Sequence, residues 1–520
     1  MMIDKLERSI RSVTRVALDQ PSISVKPHED RWPTDLIVPI ALTIVIQLTL
    51  LALRPSLDGH ESLVAQTARE MVRSGNYIDP TFAGEPRWQK PPLAYWLASA
   101  SYLCTGDVSE WTARLPSALS AVGLTMLAVL FTRRVACRHE SLAAGVIQSL
   151  VPWSWMFGSS AMIDMTLSFL VAAGIYIATR ETSPAVESLR DPLAVRRFTF
   201  LGGRRYSISN SEPIRILGLW GIIAMILLAK GPVGLIMMIG TLTITWYFAC
   251  TEKKSVRWSW HVVGIAIALV LAGTWPAMVL VENQSLVSLW FDQSVGRFIE
   301  HWGPQTRPWY YYLYQVPVLV GPSIVLALLA LINANRAWSI VLVGWFLFSL
   351  ILLSFSEGKR DHYILPALLP WSIWAGIGWQ ELVRRSSPPR IRWTLAIVVV
   401  IGSMVVTLIG MRAFPGQRDL LAPVVELADR NKSLIQHARG ILQVGSNNHA
   451  TAFVLDRPMR WCERVDSIAS IDADFPFDLV LCLGPILPSV PSHWNLVDRQ
   501  ASSRPADTVT LYRLAAPYQN

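Results

Sequence analysis

Eleven stretches of this chain are apolar for long enough to cross a lipid bilayer, and that repetition excludes most folds before any other residue is read. They lie near 35–53, 113–132, 140–157, 161–180, 214–229, 231–250, 260–281, 312–332, 337–355, 364–382 and 394–411. A spanning helix needs roughly 17–25 such residues, and hydrocarbon admits only helices or closed barrels, because every backbone polar group must be satisfied internally. The 520 residues are 52% hydrophobic and only 16% charged, whereas a soluble domain carries about 25% charged residues. The expected class is an α-helical polytopic membrane protein. Its 22 tryptophans suit the half-wet membrane interface. The net charge of +9 sits beside apolar segments, as topology signals do, so no nucleic-acid partner is expected.

A further run, 92–104, decides the topology. If it lies in the interface, the basic loops all fall on one side. These are 133–139 (Arg133, Arg134, Arg138), 181–213 (Arg190, Arg196, Arg197, Arg204, Arg205), 251–259 (Lys253, Lys254, Arg257), 333–336 (Arg336) and 383–393 (Arg384, Arg385, Arg390, Arg392). The positive-inside rule makes that side cytoplasmic. The expectation is therefore eleven spans with 92–104 as an interfacial helix. Residues 1–34 form a polar cytoplasmic tail without the apolar core of a cleavable signal. Residues 35–412 form the membrane domain, with 54–112 as its first outer loop. Beyond it, 416–520 mixes strand-like runs (TAFVL, DLVLCL, TVTLYRL) with a helix-like VVELADRNKSLIQHA, and reads as a small extracytoplasmic α/β domain.

With that topology, the outer ends collect acids, histidines and cations together. In LDGHES, Asp58, His60 and Glu61 are three groups able to take a proton from an attacking hydroxyl. The plainer reading is an Asp N-cap for the helix that follows. Asp164, in SSAMIDMTL, is a carboxylate at an apolar helix end, where it either reaches water or walls a cavity. Arg87 and Lys90, in RWQKPPLAYWL, either hold a phosphate or snorkel beside the membrane. Lys230 tips a tight hairpin, and RFIEH puts Arg297 and His301 on one side of a short helix. Cations here would stabilise charge on a departing phosphate. A nearby acid would support an oxocarbenium-like sugar, and one base acting in a single displacement would invert configuration. No cofactor is specified by these residues. A divalent metal stays open, since outer carboxylates and histidines are plentiful but show no diagnostic spacing. None of the five cysteines makes a CxxC. Cys462 and Cys482 are candidates for a disulfide only if the fold brings them together.

HESLVAQTAREMVRSGNYIDPTFAGEPRWQKPPLAYWL, followed by EWTARLPSAL, SSAMIDMTL, LLAKGPVGL, VGRFIEHWG, PWYYYLYQVP and FSEGKRDHYILPALLP, resembles the membrane glycosyltransferases of the GT-C superfamily. The likeness is to the lipid A aminoarabinose transferases and the protein O-mannosyltransferases, over roughly residues 35–380. It implies a polyprenyl-phosphate sugar donor within the membrane lipid and work on the outer face. The acceptor would be a lipid A-like glycolipid, a protein hydroxyl or a cell-envelope glycan. It also implies eleven to thirteen helices, an interfacial helix and often a C-terminal soluble domain. The family's Asp-Glu pair ahead of AREM falls on His60 and Glu61, so a histidine stands where the family has an aspartate. The lysine of the family's KPP motif, which contacts the donor phosphate, is matched by Lys90, preceded here by Gln89 where the family is often acidic. The second family aspartate matches Asp164, the RF…H loop matches Arg297 and His301, and Lys359 and Tyr363 match loosely. A flippase of lipid-linked sugars and a polysaccharide polymerase or ligase are the competing readings. Charged residues concentrated at the outer ends, with few comparable acid clusters inside, favour the enzyme.

Overall fold

The computed structural model describes residues 34–54, 56–179, 212–249, 258–282, 285–296, 306–333, 336–384, 388–413, 418–464, 475–484, 491, 493–500 and 508–515. Arg297, His301 and Cys250 lie outside the described residues.

The chain enters on α1 (Thr34–Leu53) and continues through α2 (Gly59–Ser74), a hairpin of β1 (Thr81–Phe82) and β2 (Glu85–Pro86), and α3 (Leu93–Thr105). Apolar helices follow: α4 (Glu110–Val135), α5 (Arg138–Leu150), α6 (Pro152–Gly158), α7 (Ile163–Ala178), α8 (Glu212–Lys230), α9 (Pro232–Ala249) and α10 (Trp258–Glu282). Next come α11 (Leu286–Phe291), α12 (Tyr311–Val320), α13 (Ile324–Asn333), α14 (Arg336–Ser354), α15 (Leu369–Arg384) and α16 (Pro389–Ala413). Among the described residues five helical segments are long and apolar enough to cross a membrane: 34–53, 110–135, 212–230, 258–281 and 311–331. Four shorter apolar helices accompany them. Their apolar faces stay uncovered by protein, as with Val45 and Leu48 on α1 and Leu269 and Val270 on α10. Such faces in a row are stable only against lipid, so this is a multi-pass membrane protein.

Two expected spans are interrupted. The 140–157 run breaks between α5 and α6 at Pro152, which has no N–H to continue the ladder. The 312–332 run breaks at Gly321-Pro322, with Gly321 at φ 67°. The breaks meet, because a Cβ on Gly321 would lie 3.0 Å from the Pro152 ring. Helix α3 has 13 residues and is about 20 Å long at 1.5 Å per residue, shorter than the hydrocarbon core. One face of it lies against α2, with Ser99 Oγ donating to Ala68 O (3.2 Å) and Tyr102 Oη to Ala65 O (3.1 Å).

The bundle core runs from Leu124 and Phe131 on α4 through Met165 and Val171 on α7 to Trp345 on α14 and Trp374 on α15. Polar stitches cross it: Thr43 Oγ1 lies 2.9 Å from Thr125 Oγ1 and 2.8 Å from Ser149 Oγ. Away from the loop 54–91, Arg133 is bound to Asp35 by both nitrogens (2.7 and 2.8 Å).

Residues 418–515 form α17 (Arg418–Arg430), α18 (Lys432–His437), β3 (Ile441–Gly445), α19 (Ala450–Leu455), β4 (Met459–Cys462), β5 (Leu479–Leu483), β6 (Trp494–Gln500) and β7 (Val509–Leu514). The sheet order is β4-β3-β5-β7-β6, with β3 parallel to β4 and β5 and the other pairs antiparallel. TAFVL is helical, against expectation. Asn448 Oδ1 accepts the Ala450 N–H (3.1 Å), a local turn just ahead of the helix, and a short apolar run alone does not distinguish strand from helix. Cys462 and Cys482 both sit opposite Val444, on strands either side of β3. That separates them by two strand spacings, about 10 Å, beyond the reach of a disulfide. Both are free and buried, and burial pushes their thiols up to about 11 and about 12.

Candidate active site

The loop 54–91 is held by a buried ion pair. Asp58 ends the extended chain and caps α2: its Oδ1 accepts the N–H of His60 and of Glu61, both at 2.8 Å. Glu61 Oε2 answers by accepting the Asp58 N–H at 3.0 Å, completing a capping box. The Glu61 carboxylate also receives Arg114 Nε (3.0 Å) and Nη2 (3.1 Å) and the Ala161 N–H (2.9 Å). Arg114 further donates to the carbonyls of Arg54 (2.6 Å) and Ser56 (2.9 Å). Both side chains are fully buried. Burial alone would raise the Glu61 carboxyl, but the charges of Arg54 and Arg114 outweigh it and hold the group at about 2.

This placement corrects the expectation that Glu61 is a base. Its oxygens are occupied by four donors and are fully buried. The sequence suggested a proton acceptor, but the fold uses the residue to lock α2, α4 and the start of α7 together. Asp58 is chiefly a cap, as the plainer reading had it, with its carboxyl raised by burial and by Glu61. His60 differs, being exposed, with Nε2 3.2 Å from Arg360 Nη1. Guanidinium only donates, so in this contact Nε2 is the lone-pair nitrogen.

A second cluster gathers where α7 begins and α8 ends. Asp164, 3% exposed, is bound by Lys230 Nζ, and Lys230 also lies 4.4 Å over the Tyr363 ring. The Lys90 charge reaches the same carboxylate, and His362 lies within its electrostatic range. Arg360, Asp361 and His60 complete the surroundings, each acting electrostatically on this group or on its neighbours. Burial draws the His362 imidazole down to about 3, Asp164 opposing and Lys230 assisting, so it is neutral at physiological pH. Burial raises the Asp361 carboxyl. Half-buried Lys90 follows Gln89, whose Oε1 is buried and makes no hydrogen bond among the described residues.

Two expected ligands are engaged elsewhere. Arg87 Nε donates to Tyr95 Oη (3.0 Å) and its guanidinium stands 5.9 Å over Phe82, so it braces the hairpin against α3. Lys359, 5% exposed, donates to the carbonyls of Arg307 (3.0 Å) and Ser356 and thereby joins two loops. Arg114, Arg360, Asp361 and His362 were not singled out from sequence. The positive charge of Arg114 in the apolar run 113–132 is the one sequence signal that pointed to any of them. Among the described residues no three of His, Cys, Asp and Glu converge as a metal site would need.

The chain is a bilayer-embedded helical bundle with a 13-residue helix behind a proline pair and a cation-rich cluster around one buried aspartate, and it is similar to membrane glycosyltransferases. Residues 89–185 match the family described as dolichyl-phosphate-mannose-protein mannosyltransferase. The chain is 26% identical over 345 residues to the undecaprenyl phosphate-α-4-amino-4-deoxy-L-arabinose arabinosyl transferase of Shewanella sediminis, covering 65% of this chain and 58% of that protein. A protein of Aquifex aeolicus is 26% identical over 306 residues, covering 57% of this chain and 62% of that one. The chain thus spans about three-fifths of the length of these relatives. The crystal structure of ArnT from Cupriavidus metallidurans bound to undecaprenyl phosphate superposes with a TM-score of 0.69, at 17% identity, over 92% of this chain and 98% of that one.

Proposed function

We propose that this protein transfers a sugar from a polyprenyl-phosphate donor to an acceptor at the extracytoplasmic face of an inner membrane. The observation that carries this reading is the Asp164–Lys230 pair with Lys90, His362 and Tyr363 around it. Three cations (Lys90, Lys230 and Arg360) lie around Asp164 and its neighbours. Such a site favours a dianionic leaving group. The names of the relatives, which specify undecaprenyl phosphate and an amino sugar, agree with a polyprenyl-phosphate donor.

The acceptor hydroxyl attacks the anomeric carbon as the bond from that carbon to the phosphate oxygen breaks. The electron pair leaves on the phosphate, where Lys90 and Lys230 neutralise it. Asp164 holds Lys230 and supports positive charge on the sugar. His60 takes the hydroxyl proton on Nε2 once Arg360 has swung from it to the phosphate. Gln89 Oε1 accepts a sugar hydroxyl. Arg297 and His301 keep a role on the phosphate side. A single displacement inverts the anomeric centre. Glu61 and Asp58 position His60, while Arg87 and Lys359 hold the loops. The cytoplasmic tail of 1–34, eleven spans, interfacial α3 and an extracytoplasmic 416–520 that selects the acceptor complete the reading.

The test is transfer of labelled sugar from a panel of polyprenyl-phosphate sugars to envelope fractions by protein in nanodiscs. Lys90→Ala is expected to lose on the order of 10²-fold in rate, and His60→Ala about 10²–10⁴-fold, both with unchanged thermal stability. Glu61→Gln should instead lower the melting temperature. No transfer from any donor, with head-group translocation in liposomes, would replace the transferase with a flippase.

A further inference from the structure

The segment 449–460 of the C-terminal region grips the loop that carries Lys90. Asp456 receives Arg73 Nη2 (2.5 Å) and Arg69 Nη1 (3.4 Å) from the last two turns of α2. Arg69 also donates to Phe453 O (2.8 Å), and its guanidinium lies 3.8 Å over the Phe453 ring. The grip continues onto the hairpin. The Met459 N–H donates to Ala83 O (3.0 Å), Arg460 pairs with Glu85, and the Phe82 and His449 rings meet edge to face at 5.7 Å. Inside the loop, Glu70 accepts Thr81 Oγ1 (2.5 Å) and the N–H groups of Ala83 (2.7 Å) and Gly84 (3.3 Å), which makes α2 and the hairpin one unit. That unit leads to Arg87, anchored on Tyr95, and three residues later to Lys90.

Asp456 sits at φ 51°, a left-handed conformation that a non-glycine residue adopts at a cost. The strain ends α19 so that the carboxylate turns back onto both arginines. We propose that Asp456 and Arg460 are positioning residues. They clamp the α2–hairpin unit and so fix Lys90 for the donor phosphate, making donor binding depend on the C-terminal region. This rests on the donor role given to Lys90 above.

The experiment separates the clamp from that role. Hydrogen exchange of residues 81–90 and binding of undecaprenyl phosphate are measured on the full chain in nanodiscs. The variants are Asp456→Asn, which tolerates the left-handed conformation, Glu85→Lys, Glu85→Lys with Arg460→Glu, and Lys90→Ala. Each lost exposed pair is worth up to about 1 kcal/mol, so exchange at 81–90 should rise about fivefold in either single clamp variant. Undecaprenyl phosphate affinity should fall in parallel, and the charge-swapped double variant should restore both. Unchanged exchange in Asp456→Asn and Glu85→Lys overturns the clamp. Faster exchange with unchanged affinity in those variants, where Lys90→Ala does lose affinity, overturns the transmission to Lys90. Unchanged affinity in Lys90→Ala itself, with faster exchange in the clamp variants, removes the donor role of Lys90 and leaves the clamp standing.

Discussion

At the scale of single residues, His362 shows what burial does to chemistry here. Its imidazole titrates near 3 in the folded protein against an ordinary 6.5. Between those values the unfolded chain binds a proton that the folded chain refuses. The stability His362 allows is therefore complete above pH 6.5 and is lost as pH falls toward 3. At pH 5 the loss is on the order of 2 kcal/mol. Melting temperatures taken from pH 7.5 to 4.5 should fall less steeply in His362→Asn than in the wild type, and parallel slopes would assign the acid sensitivity elsewhere. The residue scale is also where sequence reading reached its limit. Lys90, Asp164 and Lys230 stood out because a charge beside apolar residues is conspicuous. Glu61 stood out as one of three proton-handling groups in LDGHES, yet its partner lies 53 positions away in Arg114, and no local pattern reveals such a pairing. Arg360 and His362 hid inside a short polar loop where charges are ordinary.

At the scale of elements, apolar period and length made most helices legible, because lipid leaves the backbone no alternative. The interruptions were less legible. Pro152 and Pro322 were visible as letters, but their effect depends on what packs behind them. Gly321 combines φ 67° with ψ −158°, a region open essentially to glycine alone, and faces the Pro152 ring. Gly321→Ala should cost about 1–3 kcal/mol, read as a lower melting temperature in detergent, and an unchanged value would mean that the two breaks do not brace each other. The C-terminal strands were only half legible. DLVLCL and TVTLYRL became β5 and β7, while ILQVG, MRWC and WNLVDRQ are strands fixed by their neighbours rather than by their own alternation.

At the scale of the whole molecule, two exposed cysteines report its orientation. Cys104 ends α3, and Cys137 lies in the turn between α4 and α5, beside the Arg133–Asp35 pair. With Cys250 replaced by serine, an impermeant maleimide applied to spheroplasts should label Cys104 and spare Cys137 until the membrane is opened. The reverse pattern would invert the topology and with it the proposed site. Buried Cys462 and Cys482 should stay unlabelled in either case. The Arg114–Glu61 lock, finally, has a consequence for how the protein is made. Its last donor is the N–H of Ala161. At about 5–20 residues per second, the ribosome takes on the order of 2–10 s to get from Arg114 to Ala161. During that interval a guanidinium destined for a dry interior has to stay hydrated at the membrane surface. The clasp from residue 456 arrives far later. The nascent chain thus inserts its first helices well before the loop 54–91 has a shape, and a ribosome stalled in between leaves an anchored protein with that loop unlocked.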